Sequence, residues 1–119
     1  MTRILLAEDD PSMCGFLQRA LERAGFDVVA CDNGLDAYER LLQEPFALLL
    51  TDIVMPRMDG IELARKASDI DPELKIMFIT GFAAVTLNSP DAAPKEARVL
   101  SKPFHLRDLV AEVERLLGF

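Results

Sequence analysis

Five short runs of apolar residues recur along the chain, and more polar segments separate them. Most of these runs are continuous rather than alternating, which is typical of strands buried on both faces of a parallel sheet. The sequence therefore predicts five strands, centred on residues 4–7, 28–30, 47–50, 76–79 and 99–100.

Segments with a helical period lie between these runs, and the clearest one covers residues 11–24. Asp10 suits the N-cap of this helix, Pro11 its first position and Gly25 the residue that stops it. The apolar positions that we expect to face the core are Met13, Phe16, Leu17, Ala20 and Leu21.

Three further helices are predicted from the same period. The second runs from about residue 35 to the position before Pro45, and the third covers residues 60–68. The last covers residues 106–117 and has His105, a weak capping residue, at its N-cap. Its predicted inward positions are Leu106, Leu109, Val110, Val113, Leu116 and Leu117.

Strands that alternate with helices predict an α/β fold with a parallel sheet. Five strands suit a doubly wound, flavodoxin-like (βα)5 architecture with strand order 2-1-3-4-5. No linker interrupts the 119 residues, so we expect residues 1–119 to form a single domain. Pro90 and Pro94 forbid one continuous helix between the fourth and fifth strands, and we expect a short fourth helix over roughly residues 83–88 followed by irregular chain.

Acidic side chains follow the first and third strands where those strands end. The first strand leads into Glu8-Asp9-Asp10, and the third ends at Asp52. Ligands bind beyond the carboxyl ends of such strands at the switch point, which this order places between strands one and three. Carboxylates held close together need a cation or a proton, and Mg²⁺ suits their oxygen ligands best. Any single acid could instead be a solvated loop residue or a cap, and we expect Asp10 to be only a cap.

Thr80 and Lys102 end the fourth and fifth strands at the same edge of the predicted sheet. Each could be an ordinary turn residue, and a lone lysine is usually solvated. Both strands nevertheless lie on the same side of strand one as strand three, so the ammonium and the hydroxyl can reach the carboxylates. Such a set predicts a site for an incoming phosphoryl group, with Asp52 as the nucleophile.

Composition narrows the classes of function. The chain has 20 acidic and 13 basic residues and a net charge of −7, which disfavours nucleic acid because the phosphate backbone would be repelled. No apolar run approaches the ~20 residues of a membrane span, and no signal peptide precedes the first charges. Cys14 and Cys31 form no metal or redox motif. We therefore expect a soluble, cytoplasmic domain.

Over its whole length the chain resembles the receiver domain of two-component response regulators, the CheY-like family. The separations fit that family, with 43 residues from Asp9 to Asp52, 28 more to Thr80 and 22 more to Lys102. The segments that carry the resemblance are Glu8-Asp9, Thr51-Asp52-Ile53-Val54-Met55-Pro56, Met58-Asp59-Gly60, Thr80-Gly81 and Lys102-Pro103-Phe104.

The resemblance implies a metal site at the acidic residues. Asp52 would be the phosphoacceptor, Asp9 would bind Mg²⁺ directly, and Glu8 would assist through water. The backbone carbonyl of Val54 would be a further metal ligand.

The resemblance also implies how the phosphoryl group is held. Thr80 would move towards it, Lys102 would pair with it, and the peptide bond between Lys102 and Pro103 would be cis. Met55-Pro56 and Gly60 would shape the loop after the third strand.

Three features depart from the family pattern. Val99 stands where a switching aromatic side chain is usual, so a moving ring cannot transmit the signal. Val54 and Phe82 are apolar where polar side chains can position the water that hydrolyses the acyl phosphate, so we expect slow intrinsic dephosphorylation. The proline-interrupted segment leads to the hypothesis that phosphorylation orders or re-docks residues 82–97 and that partners bind to the altered surface.

We expect no effector domain to follow, so the expected output is binding rather than catalysis. Within the family the chain is most similar to the stand-alone CpdR-type receivers of alphaproteobacteria, through residues 80–85 and 100–110. This likeness implies a histidine kinase or histidine phosphotransfer protein as phosphodonor. It further implies binding of the unphosphorylated form, as an adaptor in cell-cycle control, to a ClpX-type AAA+ protease and its substrates. A phosphorelay shuttle without an adaptor role is the alternative, and a monomer is favoured.

Three other functions fit the sequence less well. An aspartate-nucleophile phosphatase carries an Asp-x-Asp pair, whereas position 54 is Val and leaves no proton donor. A flavodoxin-like cofactor binder needs a hydroxyl- and glycine-rich loop after strand one, where the acidic residues would repel a phosphate. A pseudo-receiver would have lost site residues, whereas the chain keeps Glu8, Asp9, Asp52, Thr80 and Lys102.

Overall fold

The computed structural model describes residues 2–80, 98–101 and 104–118. The predicted helix over residues 83–88 and the bond between Lys102 and Pro103 lie outside the described residues. The strands are β1 (Arg3–Ala7), β2 (Asp27–Cys31), β3 (Leu48–Asp52), β4 (Lys75–Thr80) and β5 (Arg98–Ser101). The helices within the described ranges are α1 (Pro11–Arg23), α2 (Gly34–Gln43), α3 (Gly60–Ile70) and α4 (Leu106–Leu117).

All five strands form one parallel sheet in the order β2-β1-β3-β4-β5. This order confirms the prediction of a doubly wound sheet, in which strands are added to one side of β1 and then, from β3 onwards, to the other. Ala7 lies opposite Thr51 in the register of these two strands, so the residues that follow them emerge side by side. The carboxyl ends of the central strands therefore bring the acidic segments together.

The continuous apolar runs are explained by burial on both faces of the sheet. Successive side chains of a strand point to opposite faces, so a strand between two helical layers needs apolar residues at every position. Leu5, Leu49 and Phe78 pack on the face that α2 and α3 cover. Leu6 and Leu50 pack on the other face, with α1 and α4.

Short polar side chains begin three of the helices. The Asp10 carboxylate accepts hydrogen bonds from the backbone N–H groups of Ser12 and Met13, at 3.0 and 3.3 Å. Asn33 and Asp59 act in the same way for α2 and α3. His105 stands at the N-cap of α4 without a capping hydrogen bond from its side chain, as expected for a poor capping residue. None of the helices in the described ranges is long and apolar enough to cross a membrane.

Two of the predicted inward positions are wrong. Phe16 is 51% exposed, and the Arg19 guanidinium lies 5.6 Å from the centre of its ring. Leu17 and Leu21 are fully buried and set the inward face of α1; because Phe16 is turned by about 100° from its neighbour Leu17, it points away from the sheet. Leu106 is also exposed, because α4 packs through Leu109 and Val113 further along.

Candidate functional site

Glu8 and Asp52 lie next to each other because β1 and β3 are neighbours. Asp52 is the last residue of β3, and Glu8 follows Ala7, which is paired with Thr51. The Glu8 N–H donates a 3.1 Å hydrogen bond to the carbonyl of Cys31, so the backbone of β1 is held against β2 for one residue more. This pairing keeps Glu8 at the level of Asp52, where strand order predicted it.

The carboxylates of Glu8, Asp9 and Asp52 form one cluster. One oxygen atom from each residue lies within 4.8 Å of the oxygens from the other two. Glu8 is 1% exposed and Asp52 is 9% exposed, whereas Asp9 is exposed to solvent. The cluster therefore has a buried base and one open side, through which an ion or a small anionic group can enter.

Charge and hydrogen bonding in the cluster favour a bound cation. Two unit charges at 4.8 Å repel each other by roughly 3 kcal/mol at an effective dielectric constant of about 20. The Ile53 N–H donates to Oδ1 of Asp52 at 2.7 Å, and the Asp10 N–H donates to Oε2 of Glu8 at 3.2 Å. These backbone donors orient the two carboxylates but do not neutralise them. Three carboxylates with oxygen ligand atoms this close together fit a hard divalent cation.

Asp10 takes no part in the cluster, although it follows Asp9 directly. Its side chain caps α1, which confirms that its role is structural. Both residues are exposed acids in one short segment, so only the direction of the side chain separates a candidate ligand from a cap.

The remaining predicted site residues lie at or near the same edge. Asp52 is in register with Ile79, so Thr80 is the next residue along β4, and it is paired with Ser101. Lys102 follows Ser101 and lies outside the described residues. Val54 follows β3, and its side chain is exposed. The roles assigned to Thr80, Lys102 and the Val54 carbonyl remain predictions.

The loop of residues 53–59 is closed tightly against the end of β3. The Gly60 N–H donates to the carbonyl of Ile53 at 2.7 Å. A Cβ atom at Gly60 would lie 2.0 Å from the carbonyl oxygen of Asp52, so only glycine fits there. Met55 and Met58 are buried beneath the loop. These contacts fix the path of the backbone that follows Asp52.

Sequence reasoning missed how α2 supports this loop. A Cβ atom at Gly34 would lie 2.0 Å from the carbonyl oxygen of Met58, so the start of α2 rests directly on the loop backbone. The Asn33 side chain caps α2 by accepting from the Asp36 N–H at 2.9 Å. The dipeptide Asn33-Gly34 could have suggested a close approach, but not which segment it approaches.

Both cysteines are free, and Cys31 ends β2 at the acidic edge, the carboxyl edge of the sheet that carries Glu8, Asp9 and Asp52. Burial raises the pKa of the Cys31 thiol to about 11. Burial also raises the pKa of Cys14, and the charges of Glu8 and Asp32 add to this effect. Both thiols are therefore protonated at neutral pH, in line with the absence of a redox motif in the sequence.

Comparisons with known proteins agree with this geometry. A family model described as the response regulator receiver domain matches residues 4–114. The chain is 70% identical over 117 residues to the response regulator receiver protein CpdR of Brucella abortus, and the match covers 98% of each chain. It is 31% identical to the transcriptional regulatory protein CpxR homolog of Haemophilus influenzae, with 98% of this chain matched to 51% of that protein. The crystal structure of a response regulator receiver protein from Sinorhizobium medicae superposes with a TM-score of 0.90 at 34% identity, covering 98% of this chain and 94% of that one.

Proposed function

Because the chain belongs to the family of response regulator receiver domains, we propose that Asp52 is the residue phosphorylated in a signalling switch. The phosphodonor would be a histidine kinase or a histidine phosphotransfer protein. The observation that carries the proposal is the cluster of Glu8, Asp9 and Asp52 at the carboxyl ends of β1 and β3. In this cluster the nearly buried Asp52 carboxylate, oriented by the Ile53 N–H, lies beside two further carboxylates.

In the proposed transfer, a carboxylate oxygen of Asp52 attacks the phosphorus atom of the donor. The oxygen–phosphorus bond forms while the bond from phosphorus to the donor's imidazole nitrogen breaks, and the nitrogen keeps the electron pair. The Ile53 N–H holds Oδ1 of Asp52 and so fixes the plane of the nucleophile. Orienting the carboxylate in advance lowers the entropy cost of the reaction.

The carboxylates of Glu8, Asp9 and Asp52 would hold Mg²⁺, together with the backbone carbonyl of Val54. When bound, the ion would offset the mutual repulsion of the carboxylates and the negative charge of the phosphoryl oxygens. We assign the Thr80 hydroxyl and the Lys102 ammonium to the phosphoryl oxygens. This assignment is supported by the register of β4 and β5, which ends both strands at the level of the cluster.

Labelling with a small acyl phosphate tests this proposal. With Mg²⁺ present, the protein is expected to gain the mass of one phosphoryl group, and Asp52→Ala is expected to gain none. Asp10→Asn is a matched control, because it changes a neighbouring exposed acid and keeps a good capping residue. Labelling of Asp52→Ala to the same extent would overturn the assignment of the phosphoacceptor.

The lifetime of the phosphorylated protein gives a second measurement. Val54 is exposed and apolar beside the cluster, so it cannot hold an attacking water by a hydrogen bond. We expect the purified phosphoprotein to last for minutes or longer, and Val54→Asn to shorten that lifetime. A lifetime of a few seconds for the unaltered protein would contradict this reading.

For the output of the switch, we propose that the unphosphorylated protein is an adaptor for a AAA+ protease of the ClpX type in the cytoplasm. The high identity to CpdR over nearly all of both chains supports this choice. The chain would act by binding rather than as an enzyme on other substrates. The alternative is a phosphorelay shuttle, which passes its phosphoryl group on to a histidine.

A pull-down with the purified protease separates the two outputs. An adaptor is expected to bind before phosphorylation and to bind much less afterwards, whereas Asp52→Ala is expected to bind under both conditions. A shuttle would transfer its label to a histidine phosphotransfer protein and would leave the protease unbound. Protease binding that is equal before and after phosphorylation would overturn the switch.

A further inference from the structure

Arg57 has a backbone conformation that L-amino acids rarely adopt. Its φ angle is 70°, and within the described ranges it is the only residue other than glycine with a positive φ. The conformation carries a steric cost for any residue with a Cβ atom. The side chain is 62% exposed, so burial of apolar surface does not offset this cost. A strained, exposed arginine in the loop that follows Asp52 points to a role for its side chain.

The side chain reaches the first turn of α2. Nη1 of Arg57 lies 3.7 Å from Oδ1 of Asp36. The Asp36 carboxylate is itself held in place, because the Asn33 side chain donates to Oδ2 at 3.0 Å. Asn33 is buried and caps the helix, so the anchor that Arg57 contacts belongs to a rigid part of the fold.

The loop to which Arg57 belongs also contacts the Asp52 carboxylate. Its first residue, Ile53, donates its N–H to Oδ1 of Asp52 and offers its carbonyl to Gly60. The loop also bears on α2 at Met58 and Gly34. The contact between Arg57 and Asp36 is a further tie between the same two elements, made at the solvent-exposed side of the loop.

We propose that Arg57 is a positioning residue. Through Asp36 it holds residues 53–59 in the path that keeps the Ile53 N–H on the Asp52 carboxylate, and so keeps that carboxylate turned towards Glu8 and Asp9. The inference rests on the proposed function, in which this cluster binds Mg²⁺ and Asp52 is phosphorylated.

A positioning role and a role through charge alone predict opposite effects on metal affinity. Arg57 is a cation in the loop that begins at a cluster of three carboxylates. Removing it makes the surroundings more negative, which by electrostatics alone tightens Mg²⁺ binding or leaves it unchanged. Loss of a positioning contact loosens the ligand set and weakens binding in spite of the added negative charge.

A double-mutant cycle with Arg57→Ala and Asp36→Asn tests the proposal, with Mg²⁺ itself as the probe in calorimetric titrations. Each single variant is expected to bind Mg²⁺ roughly two- to fivefold more weakly, the range that the loss of an exposed ion pair allows. The double variant is expected to match the singles, because both changes break the same contact. Its net charge equals that of the unaltered protein, so a purely electrostatic role would restore normal affinity.

Hydrogen exchange at the Ile53 amide gives a readout that overall stability does not determine. We expect Arg57→Ala to speed exchange at this amide several-fold, while amides in the core of β3 keep their protection. Arg57→Lys can still pair with Asp36 and is expected to recover most of the Mg²⁺ affinity. Arg65→Ala, which removes an exposed charge from α3, is the matched control and is expected to bind Mg²⁺ no more weakly than the unaltered protein.

The outcomes distinguish this inference from the proposed function. If the unaltered protein binds no Mg²⁺ and is not labelled at Asp52, the proposed function fails and this inference fails with it. If the unaltered protein binds Mg²⁺ and is labelled, but Arg57→Ala binds Mg²⁺ equally well or better, only the positioning role is overturned.

Discussion

At the edge where the strands begin, Arg3 pairs with Asp27 and Glu44, whereas at the edge where they end, Glu8, Asp9 and Asp52 place three negative charges together. The first arrangement matches opposite charges, and Arg40 extends it through its own 3.0 Å contact with Glu44. The three residues of the second arrangement are all acidic, so their charges do not offset one another. One edge therefore joins opposite charges within the fold, whereas the other gathers like charges that, in the proposed function, hold a cation.

The pairing at the first edge also favours the charged form of the Arg3 side chain. The hydrogen bond with Glu44 raises the pKa of the Arg3 guanidinium above its usual range, and the contact with Asp27 acts in the same direction. The guanidinium also lies 5.1 Å from the centre of the Phe46 ring, which is buried beneath it. Arg3 thereby links the start of β1 to the start of β2 and to the segment before β3.

The largest expected change in stability comes from adding a side chain at Gly60, beneath the acidic edge. Gly60→Ala would place a Cβ atom 2.0 Å from the carbonyl oxygen of Asp52, so the backbone must move. We expect the free energy of unfolding to fall by about 3 kcal/mol, measured by urea denaturation, with loss of phosphorylation. Gly15→Ala is the matched control: its Cβ meets only the flexible end of Arg19 at 3.8 Å, so it is expected to stabilise α1 by roughly 1 kcal/mol. Equal effects of the two changes would contradict this packing argument.

The paired edge is expected to affect stability and not function. Arg3→Ala removes the contacts with Asp27 and Glu44 and the stacking on Phe46, so the midpoint of thermal unfolding should fall by a few degrees. Labelling of Asp52 should not change, because the site lies at the opposite ends of the strands. The difference in midpoint should shrink in 1 M salt, where charges are screened within about 3 Å. Slower phosphorylation of Arg3→Ala would show that the two edges are coupled.

Removing one of the three negative charges at the acidic edge should stabilise the protein slightly, whereas the changes at Gly60 and Arg3 should destabilise it. Without Mg²⁺, Asp9→Asn is expected to raise the free energy of unfolding by roughly 0.5–1 kcal/mol, because it relieves repulsion at the exposed side of the cluster. The same variant should lose most of the stabilisation that added Mg²⁺ gives the unaltered protein. Asp10→Asn should show neither change. A lower stability of Asp9→Asn in metal-free buffer would contradict the repulsion argument.

The smallest effect concerns the Cys31 thiol, which lies at the end of β2 beside the acidic edge. Its pKa of about 11 in the folded protein lies above the ordinary 9.0, so the folded state favours the protonated thiol. Its contribution to stability is therefore complete below pH 9 and is lost as the pH rises through 11. In a Cys14→Ala background, alkylation of Cys31 should be slower in the folded than in the unfolded protein at pH 9. Equal rates would show that burial does not shift the pKa.

The regular part of the fold was predictable because its signals are local. The apolar runs of β1 and β3, the helical period of α1 and the capping choice of Asp10 each depend on neighbours within a few residues. The exposure of Phe16 was not predictable in this way. A helical period gives the width of an apolar face, whereas the direction of that face depends on which residues meet the sheet.

The acidic residues of the candidate site could be predicted from the sequence, whereas the contacts that support the neighbouring loop could not. Glu8, Asp9 and Asp52 follow strand ends, and the rule for ligand positions in open sheets brings them together. The support of the loop by Gly34, Asp36 and Arg57 has no such rule, because it joins the start of α2 to the loop after β3 through contacts between residues more than twenty positions apart.

The five strands, the four described helices and the acidic residues between β1 and β3 could all be predicted from the sequence. The hydrophobic period is a local signal, and the strand order follows a general rule for alternating strands and helices. The packed fold was needed to distinguish Asp9, a ligand candidate, from Asp10, a helix cap. It also decided that Arg57 takes a strained backbone and reaches Asp36. Those outcomes depend on side-chain directions and on contacts between distant segments, which exist only once the chain has packed.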